Sequence, residues 1–304
     1  MPPAGGNPAA PLSGLRVGIL GPGRVGQSLG HWLLERGARL TLWGRRRAEG
    51  VAALERGGAR FAILDRLAAA LAASEEAPED LYIVAVSDAA LGGAARRLAE
   101  ALRGAPESGP VAALHVSGPH DREILSPLRA AGVAIGSFHP LRAFADVSLR
   151  AEDAAGVTFA IDGDPPALAI ARRLGECLGG DLVEVSGERR VLYHLAACLA
   201  AGGVATLMAA VDALREAAEL PKELLSSYRH LTLGALEQLP TDGRPLASAI
   251  TGPAARGDVS LLERQRVAVE RAAPELRATL DALNELTARL RAEAAVDSAR
   301  EFEP

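Results

Sequence analysis

Lysine and cysteine are nearly absent from this 304-residue chain, which has one lysine, Lys222, and two cysteines, Cys177 and Cys198. Two cysteines cannot frame a disulfide fold. They fall in Leu/Ala-rich helical stretches rather than at zinc-ligand spacing, so both are expected to be buried small apolar residues, and no metal site is expected. Lys222 follows Pro221 at the expected exposed start of a helix, which sets aside Schiff-base chemistry and a lysine general base. The other 32 basic residues are arginines.

An excess of positive charge is also missing. With 33 basic against 38 acidic side chains the net charge is -5, so neither nucleic acid nor an anionic membrane is an expected partner. No repeat of 20 to 50 residues is visible, and the acidic stretch 74–80 reads as an exposed loop. Residues 1–14 contain no continuous apolar block and no arginine or lysine, so they read as a disordered lead-in rather than a secretory signal. Residues 191–211 are uncharged and long enough to span a bilayer. They are largely Ala and Gly and carry Tyr193, His194 and Thr206, so a buried helix is expected and the cytoplasm is the expected compartment.

Apolar residues make up 49% of the chain and charged residues 23%, a composition that supports a buried core. At this length two domains are expected. From residue 15 onward, strand, turn and helix patterns alternate. Strands are expected at 15–20, 38–43, 61–63, 81–86, 111–116, 133–137, 157–161 and 182–185, with helices at 25–36, 48–55, 89–102, 121–131 and 165–178. That order predicts an α/β fold: a doubly wound, mostly parallel Rossmann-like sheet over residues 15–187. Strand signals then stop, and residues 188–304 read as an all-helical domain, with helices at 188–219, 221–238, 246–255, 259–271 and 274–295. The apolar first helix needs cover on every side, so a homodimer through this domain is expected.

Gly21-Pro22-Gly23-Arg24-Val25-Gly26 follows the first strand and opens a helix, the context in which such a turn holds a dinucleotide pyrophosphate on backbone N–H groups. The second strand ends at Trp43-Gly44-Arg45-Arg46-Arg47, where NAD enzymes place an acid, and guanidinium groups there complement a 2′-phosphate. NADP is therefore the expected cofactor. Val86 and Ser87 close the next long strand at the carboxyl edge, beside the cofactor, and Asp88 there is either a contact or the cap of the following helix. His115 with Ser117, and His139 with Arg142, lie at later strand ends, where a histidine can move a proton beside a nicotinamide. The alternative for each histidine is a core position bonded to a carbonyl. Tyr193 and His194 begin the long helix, and Arg256, in the turn before Asp258, is a candidate anchor for an anionic substrate group or a dimer contact. Asp258 is the expected N-cap of the next helix, and Ser260 with Glu263 has capping-box spacing.

These motifs run in the order of a family that the chain resembles over about residues 14–290: the uncharacterised bacterial oxidoreductase-like proteins that join a Rossmann-like domain to a helical domain of unknown function. The resemblance implies a fold and a nucleotide site. Wider relatives are the 6-phosphogluconate, 3-hydroxyacyl, pyrroline-carboxylate and prephenate dehydrogenase or reductase groups, whose second domains often dimerise. The His-Pro-Met turn of prephenate dehydrogenases looks like His139-Pro140-Leu141, and the likeness implies that His139 contacts substrate. Gly202-Gly203 stands where the wider family often has an asparagine.

The sequence reading is thus a cytoplasmic, dimeric, NADP-dependent oxidoreductase of a small anionic substrate bound in an interdomain cleft. His139 is its acid/base, His115 and Ser117 assist, and Arg142, His194 or Arg256 contacts the substrate. Two rivals stand beside it: a non-catalytic NADP-binding sensor, and an enzyme using another hydride carrier such as a deazaflavin.

Overall fold

The structure, a computed structural model, describes residues 11–73, 78–103 and 112–300. An eight-stranded sheet carries the strands β1 (Arg16–Leu20), β2 (Arg39–Gly44), β3 (Arg60–Ile63), β4 (Leu81–Val84), β5 (Ala112–His115), β6 (Ala134–Pro140), β7 (Thr158–Gly163) and β8 (Asp181–Glu184). Their order is β3-β2-β1-β4-β5-β6-β7-β8. The reversal of winding between β1 and β4 is the switch point at which open α/β sheets bind ligands, beyond the carboxyl ends of the strands.

Alternating side chains send each strand into two cores, as the strand period of two requires. On one face Val17, Ile19, Leu81, Ile83 and Phe138 pack with helices α1 (Arg24–Glu35) and α5 (Pro165–Leu178), and α2 (Val51–Arg56) adds Leu54. On the other, Leu20, Tyr82, Val84 and Ile135 meet α3 (Leu67–Ala73) and α4 (Asp88–Leu102).

Several expectations need correction. The stretch at 122–131 is 3-10 rather than α-helical, because Pro127 in its middle removes an N–H donor and crowds the preceding turn. The sheet is mostly parallel, as expected: β7 pairs antiparallel to β6, and every other neighbouring pair is parallel. The chain between them forms only a short 3-10 turn at Ala151–Ala154, too little for the crossover that a parallel return requires. Residues 1–10 and 74–77, and Val111, lie outside the described residues. Residues 11–14, expected to be disordered, form a turn that buries Leu12 in the core. Asp80, read as part of an exposed loop, accepts from the backbone N–H of Arg16 at 2.9 Å and pairs with its guanidinium.

Contacts divide the chain into two compact units, one running to Leu199 and a second from Ala200. Helix α6 (Arg189–Cys198) belongs to the first. A π-helical turn, Leu199–Gly203, leads from it into α7 (Val204–Ala217). The second unit adds α8 (Leu224–Glu237), the one-turn α9 (Pro253–Arg256), α10 (Val259–Ala272) and α11 (Arg277–Arg300). The single helix expected at 246–255 is broken by Gly252, whose φ of 110° lies outside the helical region. Asp258 caps α10, accepting from the Leu261 N–H at 3.1 Å, while Ser260 donates to Asp258 rather than making a capping box.

The apolar helix expected to be buried is exposed: Leu192 is 71% and Leu199 64% accessible. Arg189–Ala217 is long and apolar enough to cross a membrane. Cys198 is likewise exposed, one helical turn beyond His194, and Cys177 is half-buried. Cys177 packs at the edge of the first core, whereas small size alone did not place Cys198 inside, because the face of α6 that carries it is not covered.

The packing at the switch point yields a stability prediction. A Cβ on Gly26 would overlap the carbonyl oxygen of Gly21 and lie 3.3 Å from Ala85 Cβ. Gly26→Ala should therefore destabilise the protein by about 1–3 kcal/mol through overpacking, measured by urea unfolding.

Candidate functional site

Two neighbouring features occupy the carboxyl edge of the sheet. The first is a cavity of about 940 Å³ lined by Gly21, Pro22 and Gly23 after β1, Trp43 to Arg46 after β2, and Ala85 to Ser87 after β4. Gly21 has φ 105°, and a Cβ there would overlap the Ala85 carbonyl oxygen, so both conformation and space demand glycine. Nothing lies within 4 Å of where a Cβ on Gly23 would stand. That open side lets a ligand phosphate approach the backbone N–H groups at the start of α1.

Arg45 and Arg46 are exposed at the cavity wall, and among the described residues no carboxylate lines it. Arg97 on α4, which the sequence reading missed, joins the lining and stands 3.4 Å from Asp65. No local motif marks it; only the packing of α4 beside the switch point brings it there. Of the remaining residues assigned to the nucleotide, Gly26 packs α1 against the turn, Val25 is half-buried at the helix start, and the Arg24 guanidinium donates to the Ala145 carbonyl at 2.7 Å, away from the cavity lining. Ser87 is the residue preceding α4, with no side-chain capping bond, and Asp88 is the first helical residue rather than the cap.

The second feature is a cluster of histidines. The Asp88 carboxylate, next to Ser87, lies 3.8 Å from His120 Nδ1, which is 3.0 Å from Ser117 Oγ. His139, at the end of β6, has Nδ1 2.8 Å from the Tyr193 hydroxyl of α6, and its ring stands edge-on to those of Tyr193 and His194. Burial and the nearby Arg190 guanidinium push the His139 pKa down to about 4. The Tyr193 phenol is raised by burial. A neutral imidazole therefore faces a neutral phenol at neutral pH, an arrangement in which one proton can pass along the pair.

His115 takes the other reading weighed for it. Its ring is fully buried, Nε2 lies 3.0 Å from the Asp121 carbonyl, and Nδ1 accepts the Ser117 N–H at 3.2 Å. With both nitrogens engaged inside the protein, it holds the loop after β5 and has no free position for catalysis. Ser117 is buried against His120. His194 packs on Gly118, where a Cβ would lie 2.8 Å from its Cγ, and its Nε2 is 3.4 Å from Cys198 Sγ. Arg142 is exposed, bonded to the Asp153 carbonyl and poised 5.9 Å from the Trp32 ring, so its guanidinium is already engaged outside the histidine cluster. Arg256 is exposed at the end of α9 in the second unit. Among the described residues no group of acids, histidines and cysteines could hold a metal.

The switch-point turn within a doubly wound sheet defines a Rossmann-like domain, and a model of that domain matches residues 4–140. Residues 157–287 match a domain of unknown function (DUF2520). The chain thus joins a Rossmann-like domain to this domain of unknown function, the pairing found in the family its motifs resemble. A search of curated proteins finds no match. Among solved structures the chain is similar to a candidate NADP oxidoreductase of Bacteroides fragilis, with 18% identity, TM-score 0.70, and 90% of this chain and 98% of that one covered. It is also similar to protein TM1727 of Thermotoga maritima, with 20% identity, TM-score 0.65, and coverage of 91% and 98%. A third is an imine reductase of Myxococcus stipitatus in complex with NADP+, with 18% identity, TM-score 0.59, and coverage of 90% and 92%. At these identities the likeness is one of fold.

The buried His115 sets a pH dependence of stability. Its pKa, lowered to about 3 chiefly by burial, is below the unfolded value of about 6.5, so the unfolded chain takes up a proton first as pH falls. The stability contributed by neutral His115 is complete above about pH 6.5 and is lost progressively towards pH 3. Urea unfolding of the wild type should lose about 1.4 kcal/mol per pH unit more between pH 6 and 4 than His115→Gln, which carries no titrating ring.

Proposed function

We propose that the protein is an NADP-dependent oxidoreductase that moves hydride between the cofactor and a small, anionic alcohol or amine, or the corresponding carbonyl or imine. The observation that carries this reading is the juxtaposition at one sheet edge of an arginine-walled nucleotide cavity and the His139–Tyr193 pair. Gly23 leaves room for the pyrophosphate, and Arg45 and Arg46 supply charge-assisted donors for a 2′-phosphate where an acid would repel it. The similar NADP oxidoreductase of Bacteroides fragilis and the NADP+ complex of the Myxococcus stipitatus imine reductase support the same cofactor. Bound there, NADP would accept or donate the hydride.

The protein's own residues handle the proton. In the oxidative direction the substrate proton goes to Tyr193 Oη as the phenol proton passes to His139 Nδ1; reduction runs the same path backwards. His139 thus serves as a neutral base reached through Tyr193, since an imidazole with a pKa of about 4 is scarcely protonated at neutral pH. With Arg142 engaged by Asp153 and Trp32, His194, edge-on to His139, is the substrate contact that the first unit offers. A second copy of the chain covers the exposed apolar face of α6 and α7, in a cytoplasmic setting. Light scattering should give a dimer, and a monomer would remove that cover.

Turnover of NADPH with a panel of small carbonyl acids, with and without amines, tests the reaction. No turnover alongside tight NADP binding would favour the sensor reading. NADP should bind more tightly than NAD, and Arg45→Ala should cost about 1.5–3 kcal/mol of NADP affinity in a direct titration. His139→Asn and Tyr193→Phe should each leave NADP affinity within about threefold while lowering turnover by about 10²–10⁴.

A further inference from the structure

Arg190 stands in the first turn of α6 and is completely buried. Its guanidinium makes four hydrogen bonds. Nε donates to the Gly118 carbonyl at 3.2 Å, Nη2 to the Ser117 carbonyl at 3.0 Å, and Nη1 to Ser137 Oγ at 2.8 Å and the Val185 carbonyl at 2.9 Å. Every one of these acceptors is a neutral oxygen. The two carboxylates whose charges act on it, Asp162 and Asp121, are engaged elsewhere: Asp162 binds Arg122 at 2.8 Å, and Asp121 caps the following turn by accepting from the Glu123 N–H at 3.0 Å.

A buried cation without a contacting counter-charge is costly, and scaffolding alone could be served by a neutral donor. Its position gives the charge a use. Tyr193 lies three residues further along α6, on the same helix face. Ser137, which accepts from Nη1, lies two residues before His139 on β6, on the same face of that strand. The guanidinium therefore adjoins both members of the Tyr193–His139 pair, one through each element.

We infer that Arg190 is the positioning residue of this pair: its uncancelled charge disfavours a resting proton on His139, leaving Nδ1 as the acceptor that faces Tyr193, and stabilises the phenolate formed when Tyr193 gives up a proton. The catalytic meaning of that role rests on the function proposed above. The groups that bear on His139 are Arg190, Tyr193 and His194 from α6, His115 from the end of β5, and Asp88 from the start of α4. Arg190 and His194 both disfavour a charged imidazole, and Asp88 alone favours it.

The test is nuclear magnetic resonance of histidine-labelled, nucleotide-free protein, with His139→Asn supplying the assignment. In the wild type, ring-nitrogen shifts at neutral pH should show His139 unprotonated at Nδ1; a proton found on Nδ1 would overturn the inference without any change at Arg190. In Arg190→Gln the His139 midpoint should rise by about one pH unit, a tenfold gain in proton affinity. In Arg190→Lys, which keeps the charge and loses the fork of bonds, it should stay within about half a unit of the wild type. An unchanged midpoint in folded Arg190→Gln, or equal shifts in both variants, would reduce Arg190 to a scaffold. None of these readings needs NADP or a substrate. Failure of NADP binding or turnover with the titrations as expected would therefore sink the oxidoreductase reading and leave the electrostatic role standing.

Discussion

One buried guanidinium holds the working edge of the first unit together. Arg190 gathers the loop after β5, the middle of β6, the end of β8 and the first turn of α6 onto four donors, so the strand ends and the helix that supplies Tyr193 share one fixed geometry. The 2.8 Å separation of His139 and Tyr193 depends on it, since one ring comes from the sheet and the other from the helix. The same charge bears on His115 and His139, and burial acts on both in the same direction. The mechanical and electrostatic consequences of this residue are therefore inseparable in the folded protein.

The nucleotide cavity is built on a different principle, the exclusion of side chains. At Gly21 a Cβ would strike Ala85, at Gly26 it would strike Gly21, and at Gly23 it would meet nothing. Two glycines thus let backbone pack against backbone, and the third keeps a surface bare for a ligand. Around this bare surface the three positive side chains come from two places in the fold: Arg45 and Arg46 from the loop after β2, and Arg97 from α4. The arginine-rich composition has a local result here, because guanidinium groups keep their charge and offer planar pairs of donors to phosphate oxygens.

Much of this was legible because it is local in sequence. The glycine turn, the missing acid after β2 and the alternation of strands and helices are short-range patterns whose physical causes lie within a few residues. The correct placement of His139 at a strand end came from the same kind of signal. The parts that were misread depend on what packs against what. His115 and His139 end neighbouring strands with similar flanks, yet only the fold closes Asp121 and Ser117 over the first and leaves the second to Tyr193. Arg142 looked like an anion anchor until the fold set Asp153 and Trp32 beside it. The antiparallel direction of β7 was hidden because a strand's own residues do not record the direction of its neighbour.

The sequence by itself determined the class of fold, the position of the phosphate turn and the cationic end of β2, since each follows from backbone sterics or from charge within a short segment. Tertiary structure alone decided that Arg190 and not a lysine or an acid lies beside the His139–Tyr193 pair, that Arg97 joins the cavity, that Leu12 belongs to the core, and that the faces of α6 and α7 stay exposed. Those outcomes depend on contacts between residues far apart in the chain, where burial, solvation and the field of one charged group are set by the whole assembly of elements and cannot be assigned to any single segment.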